Sequence, residues 1–200
     1  MTFTVVLISL NKLLEMAKTD PEKQGILDKA ISFFYCERNK DIENFIKNGS
    51  RGYDSTAVML EEKGITRTYF LIDEDNFQET NEILAYFSIT LKELEFTADI
   101  SRSRVKKIDG ISGNRDSVIL YLIAQLAKND LYSSEIKGEE IIDRAINIIE
   151  RSQKLVGGRI IMVECENNDS LIKFYEEHGF KSLHVNNSNG LRQLIRNYYK

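Results

Sequence analysis

The stretch NDSLIKFYEEHGF, Asn168 to Phe180, decides how this chain is read. Asn168 or Asp169 can cap a helix, because a short polar side chain satisfies the open N–H groups of a first turn. Phe174 and Tyr175 adjoin on that helix, and His178-Gly179 ends it. The residues before it, RIIMVECE (Arg159 to Glu166), read as a strand. The residues after it, Phe180 to Val185 and Leu191 to Tyr198, read as a closing hairpin around Asn189-Gly190. Upstream, Glu139 to Gln153 is an amphipathic helix whose Ile141, Ile142, Ala145, Ile148 and Ile149 form one buried stripe, stopped by Gly157-Gly158. Before it stands VILYLIAQLA, Val118 to Ala127, the most apolar run in the chain. Its β-branched start predicts a strand buried on both faces. A polar stretch, Lys128 to Lys137, joins that strand to a helix starting at Gly138. A helix start presents unpaired N–H groups and partial positive charge, which suit a phosphate, and Gly138 lets a ligand approach. Many α/β proteins contain such a unit without a ligand.

The first half is less regular. Thr2 to Leu10 reads as a strand, and Asn11 is a candidate cap for a short helix through Leu13, Leu14 and Ala17 that ends near Pro21. Gly25 to Phe34 is ambiguous between helix and strand, because its apolar residues lack a clean period. Asp41 to Asn48 is a helix, and Asp54 is a candidate cap for another running to Lys63, stopped by Gly64. Thr66 to Ile72 and Ile83 to Phe96 are strands joined through the turn-like Asp73-Glu74-Asp75-Asn76, and pair as a hairpin. Thr97 to Ser117 is polar, with Arg102, Arg104, Lys106, Lys107 and Arg115, and reads as a long loop or as short helical turns. The order of elements predicts an α/β (α+β) domain over residues 1–200, a mixed sheet with helices on both faces.

Composition narrows the function. A formal net charge of −4 gives no general support for binding nucleic acid or an anionic membrane. Cys36 and Cys165 stand far apart and read as free thiols of a reducing, cytoplasmic setting. The start lacks a basic leader and a cleavage site, so no signal peptide is expected. No run reaches the roughly 18 apolar residues of a membrane span. His178 and His184 are the only histidines, and no Cys/His group has zinc spacing, so no metal is expected.

The closing stretch resembles the signature of the GNAT superfamily of N-acetyltransferases: Asn168, seven positions on Tyr175, then Gly179-Phe180, all following a strand. The segment Tyr121 to Lys128 resembles the family's central strand. Phe34-Tyr35-Cys36, Asp41 to Ile46 and Thr66 to Tyr69 resemble members related to bacterial toxin acetyltransferases. The resemblance spans residues 30 to 198 and implies a mostly antiparallel GNAT-type sheet and acetyl-CoA as cosubstrate. It implies that the backbone of Leu126, Ala127 and Lys128 pairs with the pantetheine arm. It also implies that Ser133, Ser134, Glu135, Ile136, Lys137, Gly138 and Glu139 face the pyrophosphate, that Asn168 contacts the CoA arm and that Tyr175 is the general acid. A phenol beside the leaving thiolate, whose thiol has a pKa near 8.5, can assist by hydrogen bonding and proton donation.

The phosphate loop departs from the pattern. The family reads Gln/Arg-x-x-Gly-x-Gly/Ala, whereas this chain reads Ser133 to Gly138, with Ile136 at the middle glycine. A β-branched residue resists positive φ, so a position that requires it must be built differently. Glu135, Glu139 and Glu140 oppose a pyrophosphate, and Lys137 with the Ser133 and Ser134 hydroxyls partly offsets them.

Each role has a plainer reading. Leu126 to Lys128 is also an ordinary strand, Ser133 to Glu139 an ordinary cap, Tyr175 a core tyrosine and Asn168 a simple N-cap. Glu93 and Glu95 are candidate bases acting through water, but read better as surface carboxylates. His178 reads as a favourable charge at a helix end. The Arg102 to Lys107 segment steers an acidic acceptor such as RNA, or is a solvated surface. The leading expectation is acetyl transfer from acetyl-CoA to a primary amine of a small molecule, peptide or protein. Alternatives are a toxin acting on aminoacyl-tRNA, which the acidic charge opposes, and a GNAT-fold module that has lost catalysis. Homodimerisation stays open.

Overall fold

The computed structural model describes residues 4–47, 56–75, 77 and 82–198. Thr2, Asn48, Asp54 and Asn76, which the sequence reading used as strand start, helix end, cap and turn, lie outside them. Seven strands follow the order β1-β2-β3-β4-β5-β7-β6. The chain packs into two compact units, Met1–Ile89 with Gln125–Arg144, and Thr90–Ala124 with Ala145–Lys200. Strands β3 (Ile83–Glu95) and β4 (Ser117–Lys128) give residues to both.

In the first unit, β1 (Val5–Ser9) pairs antiparallel with β2 (Arg67–Asp73), and β2 pairs antiparallel with β3, with a register shift between Leu71 and Ile72. The expected hairpin is therefore present. Ser9, not Asn11, caps α1 (Leu10–Thr19), its side chain accepting from the Lys12 N–H. Asn11 lies inside the helix and donates to Glu15. Asp20 ends α1 and caps α2 (Pro21–Phe33), with Pro21 at the first position, where its missing N–H costs nothing. The ambiguous Gly25 to Phe34 is thus helical: capping and Pro21 start the helix, and burial of Leu27, Ala30 and Ile31 holds it. Asn39 caps α3 (Lys40–Ile46) and Thr56 caps α4 (Ala57–Glu62). The core gathers Leu10, Phe34, Ile46, Phe70 and Ile83 around Tyr86. The ring of Tyr86 meets Phe34 edge-on at 5.2 Å, and its hydroxyl donates to the Ile42 carbonyl at 2.6 Å.

In the second unit, the expected loop between β3 and β4 holds a helix, α5 (Arg102–Asp109). Ser101 caps it, and Gly110 ends it at φ 86°. Polar composition hid this helix, because only Val105 and Ile108 are buried. β4 runs parallel to β5 (Ile160–Cys165), β5 antiparallel to β7 (Arg192–Asn197), and β7 antiparallel to β6 (Lys181–Val185). α6 (Gly138–Val156) passes from the first unit into the second, and α7 (Asp169–Glu177) follows β5. β4 is not buried on both faces along its length: Leu120 to Ile123 and Ala127 are buried, while Ile119 is 57% exposed. The core joins Leu94, Leu120, Leu122, Met162, Leu183 and Ile195 with Val105 and Ile108 of α5.

Candidate active site

The candidate residues fall into two groups, one in each unit. The first is the end of β4 and the start of α6. Among the described residues β4 pairs with β5 at Tyr121, Leu122 and Ile123, opposite Ile161, Met162 and Val163. The strand nevertheless continues to Lys128. From Ala124 onward its edge on that side is not taken by β5. Leu126, Ala127 and Lys128 belong to this free edge.

Asn129 ends the strand and is 1% exposed. Its N–H donates to the Leu84 carbonyl at 2.8 Å and its amide donates to the Ile83 carbonyl at 2.9 Å. Its side-chain oxygen accepts from Leu131 and caps a short 3₁₀ turn, Asp130–Tyr132. Asp130 donates its N–H to the Tyr35 carbonyl and accepts from the Glu37 N–H at 2.7 Å. Ser133 and Ser134 follow. The Lys128 ammonium donates to the Ser133 carbonyl at 2.9 Å, and the Ser134 hydroxyl donates to Glu135 at 2.7 Å.

Ile136 answers the question its position raised. Its side chain is 1% exposed, so its burial anchors the loop. Gly138 begins α6 without a positive φ. The N–H groups of Ile136, Lys137, Gly138 and Glu139 have no acceptor among the described residues. Helices α1 to α5 and α7 all start on a capping side chain, from Ser9, Asp20, Asn39, Thr56, Ser101 and Asn168. α6, the longest, has Lys137 at that place, which cannot accept. Four consecutive donors at the positive end of a 19-residue helix fit a phosphate. The opposing carboxylates are partly answered: Arg144 pairs with Glu140 at 3.3 Å, and Lys137 lies 3.8 Å from Glu139.

The second group lies on α7. Tyr175 is 8% exposed, with its ring edge-on to Phe180 at 5.8 Å and beside Phe174 at 5.1 Å. Its hydroxyl has no hydrogen-bond partner among the described residues. Burial, with the nearby Cys165, holds its phenol well above the ordinary value, so it stays protonated. Both readings of this side chain are therefore compatible: it packs in the core and keeps a free proton donor. The Asn168 side chain accepts from the N–H groups of Ser170 (2.9 Å) and Leu171 (3.4 Å). It is a working N-cap, which leaves its NH₂ as the group able to meet a ligand.

The other candidates have structural roles. His178 shares a 2.7 Å hydrogen bond with the Phe174 carbonyl at the helix end. Glu93 and Glu95 are exposed, with the Ser117 hydroxyl donating to Glu93. Cys36 and Cys165 are free and buried, and burial raises both thiols. Arg104 donates to the Ser182 and Leu183 carbonyls, while Arg102, Lys106 and Lys107 are exposed. The sequence reading missed Asn129 and a half-buried Glu164. The signal for Glu164 was present: it is the acid that interrupts the apolar run of RIIMVECE.

Among the described residues no helix is long and apolar enough to cross a membrane. No family model matches the chain, and no curated protein matches it. The strand order and the short parallel β4–β5 pairing define the GNAT-type acetyltransferase fold that the closing signature resembles. Among solved structures that share it, AtaT complexed with acetyl-methionyl-tRNAfMet is 19% identical, with a TM-score of 0.68 over 96% of this chain and 94% of that one. A tyrosine-to-phenylalanine mutant of KacT is 18% identical, with a TM-score of 0.67 over 96% and 94%. AtaTR bound with acetyl-CoA is 19% identical, with a TM-score of 0.66 over 96% and 93%.

Proposed function

We propose that this chain is an acetyl-CoA-dependent N-acetyltransferase, a single domain over residues 1–200 that moves an acetyl group to a primary amine. The observation that carries the reading is the uncapped start of α6, whose four open N–H groups follow a strand edge released by its neighbour. Ser133 to Glu139 would face the pyrophosphate, and Leu126, Ala127 and Lys128 would pair with the pantetheine arm. Asn168 would offer its NH₂ to that arm. The amine lone pair attacks the thioester carbon, the C–N bond forms, the C–S bond breaks and the amine proton passes to solvent. Tyr175 would donate to the departing thiolate. Because its phenol is held above its ordinary value, it stabilises the thiolate mainly by hydrogen bonding, before a proton arrives. Tyrosine-to-phenylalanine mutants of AtaT and KacT are among the structures that share the fold, and the same change is the informative one here.

Titration calorimetry with acetyl-CoA tests the cofactor half: saturable binding is expected, and no heat at millimolar ligand would favour the non-catalytic module. Tyr175→Phe should cut turnover roughly 100-fold while leaving acetyl-CoA affinity unchanged. Unchanged turnover removes the role.

The likeness to AtaT bound to acetyl-methionyl-tRNAfMet supports one narrower reading, an aminoacyl-tRNA acceptor. The net charge of −4 opposes it unless a local basic surface serves, and α5 offers Arg102, Lys106 and Lys107. Under that reading Lys106→Glu with Lys107→Glu weakens methionyl-tRNA binding and flattens its salt dependence, measured by filter binding. Equal binding by wild type and variant would leave α5 a plain solvated helix.

A further inference from the structure

The second unit carries a polar row that the acetyl-transfer reading does not use. Lys92 stands two residues before Leu94 on β3, Glu164 two after Met162 on β5, and Gln193 two before Ile195 on β7. Side chains alternate along a strand, so these three share the core-facing side of the sheet with those apolar residues. The Lys92 ammonium lies 2.7 Å from Glu164 Oε2, and the Gln193 amide donates to Glu164 Oε1 at 2.7 Å. Gln193 is 3% exposed, and its Oε1 is buried with no hydrogen-bond partner among the described residues. A buried acceptor left unmet is costly, so the orphan marks a place where a donor belongs.

Position says which donor. Val163 is the last residue of β5 paired with β4, and Glu164 is the next. The row therefore begins one residue past the last β4–β5 pair, Ile123 with Val163. The place is rich in acceptors: the Glu164 carboxylate, met by Lys92, Gln193 and Asn186, keeps a lone pair, and Gln193 Oε1 keeps both. It is also electrically balanced, because Lys92 cancels Glu164. Burial alone would raise the Glu164 carboxyl, but Lys92, Gln193 and Asn186 outweigh it and keep it ionised below its ordinary range. Such a carboxylate is a poor base and a good hydrogen-bond acceptor. A neutral amine supplies two N–H donors and keeps its lone pair for attack, whereas an ammonium meets the charge of Lys92 and has no lone pair.

We propose that Glu164 and Gln193 position the acceptor's amine in its neutral form, and that Lys92 disfavours the ammonium. This rests on the acetyl-transfer reading. Glu164 and Gln193 are positioning residues, and no proton is removed by them.

The test is steady-state kinetics of the full chain with acetyl-CoA and, as acceptors, methionyl-tRNA, a lysine peptide and spermidine, with calorimetry of acetyl-CoA alongside. Gln193→Met and Glu164→Gln should each raise the amine KM about tenfold, while the acetyl-CoA Kd changes less than about twofold. The pH at which kcat/KM rises should stay put in Glu164→Gln, because no base is lost. In Lys92→Met the pH at which kcat rises should move up, because the unbalanced carboxylate now favours the bound ammonium. An unchanged amine KM in Gln193→Met and Glu164→Gln overturns the proposal. A limb abolished by Glu164→Gln overturns it too, and makes Glu164 the base. Wild-type protein that binds acetyl-CoA but transfers to none of these amines also overturns it and leaves the cofactor reading standing. Wild-type protein that does not bind acetyl-CoA overturns both. Loss of acetyl-CoA binding in the Gln193 and Glu164 variants assigns the row a structural role.

Discussion

Gly158 shows how little room single positions leave. It follows α6 at φ 105°, and a Cβ there would lie 2.5 Å from the ring of Tyr121. The Tyr121 hydroxyl in turn donates to the Gly157 carbonyl at 2.7 Å, so ring and turn fix each other. Gly158→Ala therefore combines strained backbone with a collision. We expect it to destabilise the fold by about 1–3 kcal/mol, read from denaturant unfolding. Gly157→Ala has the backbone strain alone, with nothing within 4 Å of its Cβ, and should cost less. An equal loss in both would show that the ring contact contributes nothing.

Ile136 belongs to the scale of the element, because its effect is on a whole loop and helix start. Its burial anchors the segment whose N–H groups point free. Ile136→Ala should cost about 2–4 kcal/mol of stability and weaken acetyl-CoA binding, with acetyl-pantetheine, which lacks the pyrophosphate, much less affected. Equal weakening of the two ligands would show that Ile136 plays no part in the proposed pyrophosphate contacts. Much of this region was legible in the sequence: the isoleucine stripe gave α6, the apolar run gave β4, and Asn168 to Phe180 gave α7 with its cap. What was hidden was hidden for physical reasons. α5 buries only Val105 and Ile108, too few to set a period. α2 adds Ile26 and an exposed Phe33 to the buried Leu27, Ala30 and Ile31, which blurs its period, and is set by Asp20 and Pro21 at its start. The loop's departure from the family pattern was visible at Ile136. Its burial was not, because burial is decided by residues distant in sequence. The same holds for Glu164, whose partners come from β3 and β7.

At the scale of the whole molecule, buried carboxylates tie stability to pH. Glu43 is 9% exposed and gathers Lys47 at 2.8 Å, Lys40 at 2.9 Å and the Cys36 N–H at 3.0 Å. Burial alone would raise its carboxyl, but the two ammoniums and the N–H outweigh it and bring it from 4.5 to about 2. A depressed acid stabilises the fold above its unfolded value and loses that contribution as pH falls through the folded one. Stability should thus decline from pH 4.5 toward 2, and Glu43→Gln should flatten that part of the curve in thermal unfolding. An identical acid limb in the variant would assign the decline to other carboxylates. Burial shifts Glu61 the opposite way, against Thr68 and Arg67, so it does not contribute to the same limb. The bare start of α6 has its own consequence at this scale. A helix that lacks a cap of its own borrows one, and under the proposed function the lender is a metabolite. By mass action the protein then gains about 2.7 kcal/mol when acetyl-CoA stands at 100 times its Kd. Its lifetime against proteolysis, and the hydrogen exchange of residues 136–139, would follow the supply of acetyl groups around it, making the fold a gauge of the fuel it spends.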